Sequence, residues 1–311
     1  MSKEPHAPSA AVPAWRGVAP DVLSTFFTIE AVAARSLPDP LRLPVQAAIA
    51  AILGEPTDDA QGRDDAVTAD DRVRVCVEFA EQFVVDVAGI SATQRAAMTA
   101  AMGNDAFTFV QFLYVADVFT RARIAIDKLF GDRLPSFAEV GDPVTADAGE
   151  MWPLLERFMQ QVALLSALDP FTAELVRLRG AQVHNCRLCR SRRSVKAIDA
   201  AGGTAVFDHV AADNPGLRDR DRVAVALTDA LVTQPRSLDA SLIAGVHANF
   251  DLAEIVEIIF DVTRNAANKI AVALGGDAPV VSDGVEFYDI DASGEVVADV
   301  DIDVVRGATA R

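Results

Sequence analysis

Cysteine is scarce in this chain: Cys76, Cys186 and Cys189 are the three in 311 residues. So small and odd a set argues against a secreted scaffold stapled by disulfides. Bases are also in deficit, with 28 Lys and Arg against 45 Asp and Glu, a net charge of −17. Such a balance repels phosphate backbones and anionic lipid headgroups, so neither nucleic acid nor a membrane is an expected partner. There is no uncharged apolar run near the roughly 18 residues that a membrane span requires. Residues 1–20 lack the apolar stretch of a secretory signal, and a cytoplasmic location is expected. Against these absences stand a 51% hydrophobic and a 23% charged fraction, the composition of a folded protein with a sizeable core. The length exceeds one domain of roughly 100 to 200 residues, so two units are expected.

Apolar residues recur at three-and-four spacing almost throughout, with alanine-rich interiors and Gly or Pro at the ends. This pattern predicts helices over about 21–35, 43–53, 71–87, 91–102, 106–130, 147–165, 170–182, 187–201, 217–232, 238–248 and 252–274. Residues 55–70 and 131–143 read as polar loops, the second as a domain boundary. The sequence also repeats itself. DRVRVCVEFAEQFV from Asp71 resembles DRVAVALTDALV from Asp221, and DVFTRARIAIDKLFGD from Asp117 resembles DVTRNAANKIAVALGGD from Asp261. A weaker echo pairs SLPDP from Ser36 with SALDP from Ser166. The second copy carries about twenty residues that the first lacks between its Asp-Pro and Asp-Arg landmarks, and they include the CxxC pair. The expected organisation is a disordered 1–20, a first helical copy over 21–135, a second over 144–278, and an acidic tail over 279–311. That tail alternates apolar and acidic residues around Ala292-Ser293-Gly294 and reads as a β-hairpin. It is expected to be a charged, solvated edge, with a lid or a subunit contact as the alternatives.

Chemistry concentrates between Phe171 and Gly203. A helix opened by Asp169-Pro170 is expected to break at His184-Asn185, and a second to start at Cys186 and stop at Gly202-Gly203. Cys186 and Cys189 would then lie at a helix N-terminus, where unpaired N–H groups favour thiolate over thiol. From Leu175 to Ile198 there are seven bases, Arg177, Arg179, Arg187, Arg190, Arg192, Arg193 and Lys196, and no acid. Arginine near a thiol lowers its pKa, whereas a solvated face or pairing with acids is the alternative. Arg193, four residues after Cys189, would share its helical face. Cys76, inside VRVCVEFA, reads as a buried filler. His209 and His247 read as surface or packing histidines, and His6 as part of the terminus.

Glu174, twelve positions before Cys186, then Cys186-Arg-Leu-Cys189, the preceding RLRGAQV and the following DRV helix resemble the alkylhydroperoxidase AhpD and carboxymuconolactone decarboxylase-like family. The resemblance covers about 148–276, with 22–131 as a copy lacking the motif. It implies an all-α fold of tandem AhpD-like helical repeats, here with a short C-terminal β-hairpin tail, assembled as a homo-oligomer, a trimer or a dimer. The implied activity is a thiol-dependent peroxidase that reduces hydroperoxides with no bound cofactor or metal. In that pattern the Cys189 thiolate attacks the peroxide and becomes a sulfenic acid, Cys186 resolves it as a disulfide, and Glu174 relays a proton. Recycling calls for a dithiol reductant such as a lipoyl protein. The family's histidine falls on Arg193, and a guanidinium stays charged and cannot shuttle a proton. His184 is the nearest substitute.

Other readings are weaker. Structural zinc wants four ligands, and only Cys186, Cys189 and His184 are close. Lactone decarboxylases of the family lack the CxxC, and thioredoxin-like exchange needs a βαβ setting. Glu174 has the alternative of a plain ion pair with Arg177 or Arg193. A redox-degenerate binding or assembly protein is the competing function, because of Arg193.

Overall fold

A computed structural model describes residues 13–55, 70–134 and 150–300. His6, most of the loops expected at 55–70 and 131–143, and the end of the acidic tail lie outside the described residues. The fold is all-α with a short β tail. In the first copy α1 (Pro20–Ala33), α2 (Asp39–Leu53), α3 (Asp71–Val85), α4 (Ala92–Met102), α5 (Ala106–Tyr114) and α6 (Thr120–Phe130) follow one another. In the second come α7 (Met151–Ala163), α8 (Pro170–Val183), α9 (Arg187–Arg190), α10 (Val195–Ala201), α11 (Asp219–Thr233), α12 (Ala240–Asn249), α13 (Leu252–Asn265) and α14 (Asn268–Leu274).

Local chemistry sets many of these boundaries. The Asp70 carboxylate accepts the N–H of Arg72 at 2.7 Å, and Ser91-Gln94 and Asp251-Glu254 form reciprocal capping boxes that start α4 and α13. The helix expected at 106–130 is interrupted by a π turn at Val115–Phe119, and that expected at 252–274 breaks between Asn265 and Asn268.

The two copies share one apolar core. Phe26 and Phe119 of the first stack at 4.3 Å between ring centroids and meet Phe158 and Phe260 of the second, with α1 packed on α7. Burying four such rings adds a large apolar contribution to the hydrophobic drive that joins the copies. A second, smaller core of Leu175, Leu178, Ile198, Phe207, Val210 and Leu217 lies under α10 and the segment after it. The residues that the first copy lacks thus bring part of their own core.

Three sequence expectations are corrected. Residues 13–20 are not disordered: Trp15 is buried, stacks on Phe130 and donates to Asp132 at 2.8 Å. An aromatic with a satisfied N–H anchors this stretch. The helix expected over 187–201 is α9, then a strand β1 (Arg192–Ser194), then α10, which ends at the left-handed Gly202. The acidic tail is not an isolated hairpin. β2 (Glu286–Ile290) pairs in parallel with β1, Arg193 opposite Phe287, and antiparallel with β3 (Val296–Ala298). At its turn Gly294 has φ +86, and a Cβ there would stand 2.4 Å from the Gln160 carbonyl of α7, so the hairpin is pressed onto the second copy.

Candidate functional site

Asn185, at φ +48, makes the break between α8 and α9 that the sequence suggested, since asparagine tolerates the left-handed conformation. Cys186 then caps α9, and its Sγ accepts the Cys189 N–H at 3.3 Å. The first two N–H groups of this single turn go to Asp277: Arg187 N–H to its carboxylate and Leu188 N–H to its carbonyl, each at 2.9 Å. The helix N-terminus expected to stabilise a thiolate is therefore already occupied by Asp277 and Cys186.

What faces Cys189 instead is a set of side chains from five other elements. They line a cavity of about 140 Å³ with Arg177 of α8, Arg192 of β1, Arg264 and Asn265 of α13, Asn268 of α14 and Tyr288 of β2. A hydrogen bond from Cys186 leads in holding the Cys189 thiol down to about 7 against burial, joined by Arg177, Asn268 and Arg192. Cys186 moves the opposite way: it is buried, and the proton it shares with Cys189 pushes it well up. The pair is asymmetric, with the accessible sulfur the more acidic.

Glu174 is buried in α8, and its carboxylate accepts from Arg177 Nε at 2.6 Å and Nη2 at 2.7 Å, from the Ser194 N–H at 3.1 Å and from the Tyr288 hydroxyl at 2.8 Å. Arg177 in turn donates to the carbonyls of Cys189, at 2.9 Å, and Arg192, at 2.8 Å. Glu174 thus stands behind Arg177, in the ion pair that was its alternative reading, and reaches Cys189 through that guanidinium.

Arg193 does not share a face with Cys189. Successive residues of a strand point to opposite sides, so Arg192 lines the cysteine cavity while Arg193 turns to a separate cavity with Arg190, Phe207 and Asp208. Its Nη1 donates to the carbonyls of Arg190 and Arg192. His184, by contrast, is brought to the site. It ends α8, is buried, and has its Nδ1 2.8 Å from Asn268 Oδ1. Cys76 is fully buried and its thiol is pushed up to about 11 by burial, in keeping with a filler. His247 reaches the Leu129 carbonyl at 2.9 Å, and His209 is exposed.

Much of the basic cluster meets acids: Arg192 pairs with Glu286 at 2.5 Å, Lys196 with Asp289 at 2.9 Å, Arg187 with Asp277 at 2.9 Å and Arg179 with Asp229 at 2.5 Å. Two of these partners come from the hairpin, which also supplies Tyr288 as a wall of the cavity. Asn268, Tyr288 and Arg264 were not singled out from the sequence. A trace was present in the first of these: RNAANK, from Arg264 to Lys269, holds two asparagines, Asn265 and Asn268, where the matching DVFTRARIAI from Asp117 has none.

Among the described residues no helix is long and apolar enough to cross a membrane. No family model matches the chain, and no solved structure matches it. It is similar to the uncharacterized proteins MT2376 and Rv2313c of Mycobacterium tuberculosis, strains CDC 1551 and H37Rv. Each is 40% identical over 227 residues, an alignment that spans 72% of this chain and 80% of the relative.

Proposed function

We propose that this chain, which belongs to one family with these two mycobacterial proteins, is a thiol-dependent peroxidase of the AhpD-like kind. The observation that carries the reading is the asymmetric pair, with an acidified Cys189 on a cavity beside a protonated, buried Cys186. The Cys189 thiolate attacks the distal peroxide oxygen, the O–O bond breaks, and the departing alkoxide takes the Cys186 proton as alcohol. The Cys186 thiolate then attacks the sulfenic sulfur of Cys189; the S–S bond forms as the S–O bond breaks, and the hydroxide released is protonated to water. An external dithiol, in this reading a lipoyl group, takes the disulfide back to two thiols. Glu174 here holds Arg177 against the thiolate rather than carrying a proton. Assembly as a trimer or dimer belongs to the same reading, and light scattering tests it.

The experiment is consumption of cumene hydroperoxide by the reduced protein with dihydrolipoamide as reductant. Turnover is expected in the parent, a single stoichiometric oxidation in Cys186→Ser, and none in Cys189→Ser. Equal consumption by Cys189→Ser and the parent would overturn the assignment.

The tie of Glu174 to Arg177 and the placement of Arg193 favour a second reading, a redox-degenerate binding or assembly protein with the same fold. It predicts no turnover in the parent. Since position 193 faces away from the sulfurs, Arg193→His would not create turnover in either case.

A further inference from the structure

Asn268 opens α14 and lies half-buried on the wall of the cysteine cavity. Its Oδ1 lies 2.8 Å from His184 Nδ1, and its side chain shares the cavity wall with Cys189. His184 faces Asp117 of the π turn, Arg121 of α6 and Lys269 of α14 across a space of about 10 Å³, room for one water at most. Burial, then the nearby Lys269 charge, push this imidazole down to about 3, so it is neutral near pH 7.

A neutral imidazole has one N–H, and the amide oxygen facing Nδ1 only accepts; the hydrogen is therefore on Nδ1. This fixes the other end of the amide. Nδ2, which only donates, is the end left for the cavity that Cys189 lines. A donor aimed at sulfur favours thiolate over thiol, without itself exchanging a proton.

We infer that Asn268, oriented by His184, is a positioning residue that hydrogen-bonds the Cys189 thiolate and keeps it ionised. The inference rests on the reading of Cys189 as the reactive thiolate. The titratable and charged groups around that sulfur are Cys186 of the α8–α9 junction, Arg177 of α8, Arg192 of β1, Arg264 of α13 and Tyr288 of β2. All are unchanged in the variants below. The first copy enters through Asp117, whose carboxylate meets Lys269, the residue next to Asn268, at 2.5 Å.

The test is the pH dependence of Cys189 alkylation by iodoacetamide in the reduced protein, read by mass spectrometry, with no peroxide present. Asn268→Ala is expected to raise the Cys189 pKa by about one pH unit and to slow alkylation at neutral pH several-fold. His184→Leu is expected to shift it the same way, while His184→Asn, which can keep an N–H in the place of Nδ1, restores most of the loss. The double variant Asn268→Ala with His184→Leu should shift no further than Asn268→Ala alone, because both act on one bond. Asn268 is half-buried, so its variant decides the matter even if His184→Leu unfolds. An unshifted pKa in Asn268→Ala, or additive shifts in the double variant, would overturn the inference. A protein that shows the expected shifts but consumes no peroxide would sink the peroxidase reading and leave the hydrogen bond standing.

Discussion

Asp117 and Asp261 open the matching blocks of the two sequence copies, yet they sit in opposite electrostatic settings. Asp117 is fully buried. Burial pushes its carboxyl up, but Arg121 at 2.6 Å and Lys269 at 2.5 Å outweigh it and hold it below the ordinary range. Arg121 also donates to the carbonyls of Val84 at the end of α3 and of Val232 and Thr233 at the end of α11, so one cluster ties both copies together. Asp261 is buried too, but Arg264 only partly offsets its burial and Glu257 adds to it, leaving its carboxyl pushed up to about 7. It lines a cavity of about 450 Å³ that shares Arg177, Arg264, Asn265 and Tyr288 with the cysteine cavity. The copy without the motif spends its acid on a closed ion-pair network; the copy with the motif keeps a poorly compensated acid beside its cavity.

The largest effect is expected from breaking the closed network. Lys269→Met leaves Asp117 with Arg121 alone in a buried site, and should destabilise the protein by roughly 5 kcal/mol in urea unfolding. No loss of stability would show that the ion pair contributes nothing net. The second test sharpens the contrast through pH. A carboxyl whose folded pKa lies above its unfolded value costs stability as pH rises through the window between the two, here from about 4 to about 7. Asp261→Asn should therefore stabilise the protein by roughly 4 kcal/mol at pH 8 relative to its effect at pH 4. A difference independent of pH would contradict the assignment. The smallest expected effect is at the hairpin: Tyr288→Phe removes the hydroxyl that meets Glu174 and should cost about 1 to 2 kcal/mol. Hydrogen exchange in β2 should rise with it, and unchanged protection would mean that the hairpin is held by other contacts.

Most helices were legible because their information is local: a 3.6-residue apolar stripe, an acid or Pro-containing start, a Gly end. The CxxC pair, Glu174 and the break before Cys186 were equally legible. What surrounds the sulfurs was not. β1 is three residues long, Arg192-Arg193-Ser194, with no apolar alternation, and it exists because β2, about ninety residues later, supplies its hydrogen bonds. Reading that stretch as helix placed Arg193 beside Cys189, whereas strand alternation points it away. Tyr288 and Asn268 acquire their roles only in three dimensions, on elements that follow the motif by about 80 to 100 residues. The seven bases stand together in the sequence, but their partition between sulfur-facing and acid-paired side chains depends on where the hairpin docks.

The central claim, that Cys189 is the sulfur that meets peroxide, is tested most directly by trapping its oxidation product. The reduced Cys186→Ser variant, which cannot close the disulfide, is treated with one equivalent of hydroperoxide and then dimedone, and the label is located by mass spectrometry. The dimedone adduct is expected on Cys189, with Cys76 unlabelled. An unlabelled Cys189 in a protein that remains folded and reduced would contradict the account.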